Sequence, residues 1–148
     1  MTGRADLQMY LHGAIVLLLG YLCGFPLEVG MTENWGNADM HFWRVAHSGL
    51  VAGGVWSIAT GAAVRHLSLG GRSISTLAWS VVLANYGFLL NGFARVAAGG
   101  GSDGAGGPLN WLVLSTFALA SLASLLGAGL TIVGAFLALR AQPLRDGT

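Results

Sequence analysis

Long apolar stretches, separated by short polar ones, run through this chain. Each stretch reaches the length of about 20 residues that an α-helix needs to cross the hydrocarbon core of a bilayer. There are four of them, at roughly Met9–Val29, Phe42–Val64, Ser73–Ala97 and Leu109–Leu139. The connecting segments, such as "GMTENWGNADMH" and "AAGGGSDGAGGP", are rich in glycine and polar residues. The pattern predicts an all-α fold: one domain over residues 1–148, built as an integral membrane bundle of four transmembrane helices.

Composition supports a membrane protein and excludes one that binds nucleic acid. Hydrophobic residues make up 54% of the chain and charged residues 9%, against about 25% charged residues in a typical soluble domain. So few charges cannot cover a surface that faces water. The net charge is +1 and the chain has no lysine, so it lacks the basic patch that nucleic-acid binding needs.

The first apolar run is not interpreted as a signal peptide. It lasts about 20 residues, longer than the roughly 7–15 residues of a signal-peptide core, and no small-x-small cleavage site follows it. We therefore expect it to stay in the mature protein. Cys23, the single cysteine, lies inside this run and is interpreted as a packing residue.

The arginines predict an orientation. Because basic residues concentrate on the cytoplasmic side of a membrane protein, we expect both termini and the middle loop to be cytoplasmic. The arginines that carry this prediction are Arg4, Arg65, Arg72, Arg140 and Arg145. Arg44 and Arg95 fall on the outer side against this rule, close enough to the interface for their guanidinium groups to reach it.

Small residues recur along the second span. Gly49, Gly53, Ser57 and Gly61 are four residues apart, a spacing that forms one smooth stripe on a helix and lets helices approach closely in lipid. One interpretation is plain helix packing. The other is a flat groove for a planar ligand, and the two are compatible. A face this flat also suggests burial against a second copy of the chain.

Polar side chains inside a bilayer are costly and usually functional. By depth, one set converges on the outer half of the bundle: Glu28, Arg44, His47, Asn85, Asn91 and Arg95. His12 and His66 are expected at the opposite, cytoplasmic ends. Asn85 and Asn91 share the third span, and each amide must bond to a helix, a ligand or a substrate oxygen, because a buried amide without partners costs about 1–3 kcal/mol.

The segment "FWRVAHSG" places Arg44 one turn before His47 on the same helix face. A neutral imidazole is a common metal ligand and a standard axial ligand of haem. Arg44 would then neutralise a haem propionate through charge-assisted bonds. The alternative is that His47 bonds to Asn85 or Asn91 and only holds the bundle together.

Three segments together resemble the bacterial styrene oxide isomerases: "YLHGAIVLLLGYLCG", "FWRVAHSG" and "ANYGFLLNGF", followed by a glycine-proline loop and a fourth glycine-rich span. The resemblance covers nearly the whole chain in order, spacing and span count. It implies a multi-pass protein of the bacterial inner membrane, assembled as a homotrimer with haem b between neighbouring subunits. It also implies the conversion of an aryl epoxide to an aldehyde, with ferric iron as a Lewis acid on the epoxide oxygen and a 1,2-hydride shift.

The resemblance assigns residues one by one. The histidine of the "AHSG" motif, the axial haem ligand, is His47, and the asparagine of "N-x-G-F", near the open face of the haem, is Asn85. The chain departs from the family pattern twice: Gly53 stands where the family has a second asparagine, and Leu89 where it has a tyrosine. Tyr86, on a different helix face, is the candidate substitute for that tyrosine. We therefore expect Arg44, Gly53 and Asn91 beside the haem, and Phe88, Leu89 and Tyr86 in the substrate pocket.

Two other functions stay open. The first is a haem-binding or electron-transfer membrane protein without isomerase activity. The second is a small transporter or structural membrane protein without haem. A bis-histidine haem needs two ligands at matching depth. His12 and His66 are both expected at the cytoplasmic ends, so that pair stays open, whereas His47 has only His41 near its level.

Overall fold

The structure, a computed structural model, describes residues 4–34, 37–97 and 108–141. The long elements within these ranges are helices, which confirms the all-α prediction. They are α1 (Ala5–Leu22), α2 (Gly24–Thr32), α3 (Asn37–Ala63), α4 (Gly71–Ala97) and α5 (Pro108–Ala141), with a 3₁₀ turn at Val64–His66. Each predicted span coincides with one long helix, except the first, which α1 and α2 share.

Three segments of the described chain are long and apolar enough to cross a membrane: Ala5–Thr32, Gly71–Arg95 and Asn110–Ala141, with mean hydropathies of 1.8, 1.4 and 2.2. Helix α3 has 27 residues, which is sufficient length, but it does not reach the same hydropathy. The reason is its content of small residues together with polar side chains such as Arg44 and His47. The crossing by α3 stays a prediction.

Helices α1 and α3 approach each other through glycine. A Cβ added to Gly54 would lie 2.7 Å from the backbone nitrogen of Leu17 and 2.8 Å from the carbonyl oxygen of Gly13. A Cβ added to Gly20 would lie 2.8 Å from the nitrogen of Val51. Real side chains cannot be placed at such distances, so the backbones are this close because these positions carry none.

The helix ends meet in a way that makes the bundle antiparallel. Met9 from the start of α1, Val64 from the turn after α3, and Leu77 from the start of α4 are fully buried in one apolar cluster. The segment after that turn packs on the end of α5, where the Ser68 N–H donates to the Gly134 carbonyl at 3.1 Å. Arg65, Arg72 and Arg140 therefore share one end of the bundle, as the orientation prediction requires, while the side of the membrane stays a prediction.

The small-residue stripe of α3 packs mostly within the chain. A Cβ on Gly61 would lie 3.2 Å from the Cβ of Met9 on α1, and one on Gly53 would overlap the Asn85 carbonyl oxygen on α4. Ser57 is fully buried, whereas Gly49 is exposed, with no atom within 4 Å of its added Cβ. At these three positions the structure favours the interpretation of plain helix packing, because α1 and α4 both cover α3, and burial of the stripe against a second copy of the chain stays a prediction.

Gly54→Ala and Gly49→Ala form a matched pair that tests the α1–α3 contact. The added methyl group at Gly54 meets backbone atoms that cannot move aside, so we expect a loss of about 1–3 kcal/mol of stability. At Gly49 the methyl group meets open space, and the higher helix propensity of alanine should be neutral or stabilise by up to about 1 kcal/mol. Thermal unfolding followed by circular dichroism in mild detergent measures both. Equal effects at the two positions would contradict the packing described.

Candidate functional site around His47

His47 binds the first span through a backbone carbonyl. Its Nδ1 lies 2.9 Å from the carbonyl oxygen of Gly20, and the side chain is half-buried. A carbonyl oxygen can only accept a hydrogen bond, so Nδ1 carries a proton, and in the neutral ring Nε2 then keeps a lone pair. Histidines that ligate metals are commonly held in this way, with one ring nitrogen donating to a carbonyl and the other free for the metal.

An open groove of about 350 Å³ runs beside this imidazole. It is lined by Tyr21, Gly24, Phe25, Leu27, Glu28, Met31 and His47. Tyr21, Phe25 and Met31 are 56%, 65% and 61% exposed, so the apolar wall of the groove faces out of the bundle. A Cβ on Gly24 would lie 3.3 Å from His47 Nδ1. Because glycine has no Cβ, the imidazole ring has room to pack against α2.

Arg44 lies one turn before His47 on α3 and is exposed. Its backbone carbonyl accepts a hydrogen bond from Ser48 Oγ at 2.7 Å. Its side chain is accessible to an anionic group, although Arg44 is not one of the residues that line the groove.

Asn85 faces α3 instead of the groove. Its Nδ2 donates to Ser57 Oγ at 2.7 Å and to the Gly53 carbonyl at 3.3 Å, and the residue is 6% exposed. Gly53 follows His47 by six residues, or about 9 Å along a helix axis. The structure thus brings Asn85 and Gly53 together, one to two turns away from His47.

Asn91 and Phe88 face α5. Asn91 Nδ2 donates to the Val113 carbonyl at 2.6 Å and to Thr116 Oγ1 at 3.3 Å. Phe88 packs edge to face on Phe117 with ring centroids 6.0 Å apart. Leu89, between them in sequence, is half-buried. The predicted roles of Asn91 beside a cofactor, and of Phe88 and Leu89 in a pocket, stay predictions.

Tyr86 bonds to His12 on α1. The Tyr86 hydroxyl lies 3.1 Å from His12 Nδ1, and the rings meet edge to face at 87° with centroids 5.6 Å apart. The expectation that His12 lies at the end of the bundle is wrong. Helix α1 begins at Ala5, and its second turn places His12 beside a residue in the middle of α4.

The metal-binding options of the described residues are narrow. In the described ranges, no three His, Cys, Asp or Glu side chains come close enough to hold a metal ion by themselves. A metal bound through His47 therefore needs other ligands that come with it. The iron of a haem meets this condition, because the macrocycle supplies its equatorial ligands and the protein supplies an axial one. The donor set and the apolar wall fit such a group.

Several residues of the site escaped the sequence analysis. Gly20 supplies a carbonyl, Gly24 supplies space, and Tyr21, Phe25 and Met31 supply the wall. One signal was present: "CGFP" contains a glycine and Pro26 inside an apolar run, and both residue types weaken a helix. The continuous apolarity of the run concealed it.

Ser57→Ala tests the bond that holds Asn85. Removing the hydroxyl leaves one amide N–H with only the longer contact to the Gly53 carbonyl. Hydrogen bonds between membrane helices are worth about 0.6 kcal/mol on average and up to about 1.7, so we expect a loss in that range. Thermal unfolding in detergent measures it, with Ser115→Ala as the control, because Ser115 is exposed and bonds to the carbonyl of Leu112 in its own helix. A loss no larger than that of the control would argue against the bond.

The chain was compared with protein families, with curated proteins and with solved structures. The model of one family, described as styrene oxide isomerase, matches residues 5–136. No curated protein and no solved structure matches the chain. The matched range includes the groove, His47 and both asparagines of α4, so the resemblance of the three segments is confirmed. This chain belongs to the styrene oxide isomerase family.

Proposed function

We propose that this membrane protein is a haem b-dependent isomerase that converts an aryl epoxide to the corresponding aldehyde. Membership of the family supports an epoxide isomerase. The observation that carries the haem part of the proposal is the bond from His47 Nδ1 to the Gly20 carbonyl. In a neutral ring that bond leaves the lone pair on Nε2, and His47 is one of the residues that line the groove with its apolar wall; both features suit an axial ligand.

Four residues would hold the group. His47 would bind the iron through Nε2, and Arg44 would pair with a propionate, because charge-assisted bonds to carboxylates are strong. Tyr21 and Phe25 would contact the macrocycle with their exposed rings. The groove, at about 350 Å³, is at the lower end of the range for small-molecule pockets and is open on one side. A macrocycle held here would be only partly enclosed by this chain, which supports a homo-oligomer with haem between subunits. The number three rests on the family resemblance.

A bound ferric haem would supply an electrophilic iron for the oxygen of the epoxide. Isomerisation of an epoxide to an aldehyde consumes no net electron and no net proton, so the chain needs no proton-transfer residue. Its task is to keep water away from a cationic carbon, for which apolar side chains suffice. Phe88, which is 40% exposed, and Leu89 are our candidates for the wall against the aryl ring.

Asn85 is the proposed residue that orients the epoxide oxygen. Both of its amide N–H groups point at α3, so it must release one of them to donate to a substrate. The bond to the Gly53 carbonyl, at 3.3 Å, is longer than the bond to Ser57, at 2.7 Å, and is therefore the weaker one. Ser57 would keep the amide in place while the other N–H turns to the substrate.

A second candidate function is haem binding without isomerase activity. The occupied amide of Asn85 and the apolar Leu89 favour it, because both reduce the number of polar groups available to a substrate. This candidate shares the site at His47 and differs only in what happens to an epoxide, so the same purified protein can separate the two.

The His47→Ala variant tests haem binding. We expect the purified protein to show a Soret band and the variant to lose it, because the iron has no protein ligand left. His66 is exposed at the other end of the bundle, so the His66→Ala variant should keep the band. The measurement is the visible spectrum after purification in mild detergent, with the haem content per chain and the native mass. Full haem retention by His47→Ala would refute the assignment, and a wild-type protein that takes up no haem would favour the transporter or structural function.

Conversion of styrene oxide to phenylacetaldehyde tests the activity. We expect turnover by the haem-loaded protein without an electron donor or a nicotinamide. Leu89→Tyr should raise the rate, since one polar contact that orients a substrate is worth about 1–3 kcal/mol, or about 5- to 150-fold in rate. Leu89→Phe controls for size without the hydroxyl. The absence of product from a panel of aryl epoxides, with haem bound and ferric, would favour haem binding alone.

A further inference from the structure

The first span is interrupted where it passes His47. Helix α1 ends at Leu22 and α2 begins at Gly24, with Cys23 between them. Pro26 lies in the first turn of α2. Because proline has no backbone N–H, Pro26 cannot donate to the carbonyl four residues earlier, that of Leu22, and the helical hydrogen bonds are interrupted there. The ladder of α1 closes with the bond from the Cys23 N–H to the Leu19 carbonyl, at 3.0 Å.

Gly20 follows directly on Leu19 and lies in the last turn of α1. Carbonyl groups in the last turn of a helix lack partners within that helix and take donors from elsewhere. The Gly20 carbonyl takes the Nδ1–H of His47, at 2.9 Å. A carbonyl in the middle of an unbroken helix already accepts from the N–H four residues later, so a side chain would have to compete for it. The interruption thus provides the acceptor.

The surrounding glycines bring the two groups within reach. A Cβ on Gly20 would lie 2.8 Å from the nitrogen of Val51, and a Cβ on Gly24 would lie 3.3 Å from His47 Nδ1 and 3.4 Å from Cε1. The ring edge that carries Nδ1 is therefore held between the end of α1 and the start of α2. Within the described residues Nε2 makes no hydrogen bond, and His47 is one of the residues that line the groove.

We propose that Pro26 is a positioning residue: by interrupting the first span, it frees the Gly20 carbonyl to fix His47 as the Nδ1–H tautomer. The use of this tautomer for iron rests on the proposed function, but the tautomer itself is a property of the chain without any ligand. A hydrogen bond from the ring nitrogen that does not bind the metal orients the ligand and raises its basicity, and its loss typically costs 10- to 100-fold in metal affinity.

The test is the tautomeric state of His47 in protein without haem, read by NMR with ¹⁵N-labelled histidine at a pH where the imidazole is neutral. The His47 signals are assigned by their absence in His47→Ala. The wild-type ring should be the Nδ1–H tautomer. In Pro26→Ala the restored N–H allows a continuous helix, the Gly24 N–H competes for the Gly20 carbonyl, and the ring should shift to a mixture of tautomers.

Pro108→Ala is the matched control, because Pro108 is the first residue of α5, where a missing N–H is not needed. It should leave the tautomer unchanged. After haem loading, we expect Pro26→Ala to lower haem affinity by about tenfold or more and to lower the Fe–His stretching frequency of the ferrous form in resonance Raman spectra. Pro108→Ala should change neither.

The outcomes separate this inference from the proposed function. A wild-type His47 that is the Nε2–H tautomer overturns the inference, even if Pro26→Ala does not fold. A Pro26→Ala protein that folds and keeps the Nδ1–H tautomer also overturns it. A wild-type protein with the Nδ1–H tautomer, lost in Pro26→Ala, that binds no haem supports the inference and refutes the proposed function.

Discussion

The close approach of α1 and α3 is the constraint on which the site depends. Gly13, Gly20 and Gly54 carry no Cβ, so the two backbones come together at distances that any side chain would prevent. The same approach places the Gly20 carbonyl 2.9 Å from the imidazole of His47. Helix packing in lipid relies on small residues because apolar side chains gain little from contact with one another in place of lipid tails. The same close approach therefore packs α1 on α3 and positions the His47 ring, and a larger residue at Gly20 would disturb both.

Polar bonds fix the position of α4 between its neighbours. Tyr86 bonds to α1, Asn85 to α3 and Asn91 to α5. In an apolar medium an unpaired polar group is costly, and within the described residues no fully buried side-chain nitrogen or oxygen lacks a partner. Each bond thus selects one rotation and one height for α4. His47 differs from these residues, because in the described part of the chain only one of its ring nitrogens is bonded, and this is why we propose it, and not an asparagine, as a ligand.

The sequence predicted those features that depend on local pattern. The lengths of the apolar runs predicted the helices, whereas the depth of His47 in the membrane stays a prediction. The hydrogen-bond partners of the asparagines could not be predicted from the sequence. A helix has several neighbours, and its own sequence does not say which of its faces packs against which neighbour. The stripe on α3 shows the same limit: the spacing from Gly49 to Gly61 was recognised, yet the contact with α1 uses Gly54, which lies beside the stripe. The interruption at Cys23 was missed because hydropathy does not register the loss of backbone bonds at Pro26.

The departure from the family pattern at Gly53 is not independent of the packing. The Asn85 carbonyl oxygen occupies the place that a Cβ at Gly53 would take, and the Asn85 amide donates to the Gly53 carbonyl and to Ser57. A side chain at position 53 and this orientation of Asn85 therefore exclude each other. A chain with an asparagine at position 53 must turn the amide of residue 85 elsewhere, with one of its N–H groups released from α3. Gly53 thus leaves room for the Asn85 amide in the contact between α3 and α4. Any polar contact of this amide with a substrate would have to replace one of its two existing hydrogen bonds.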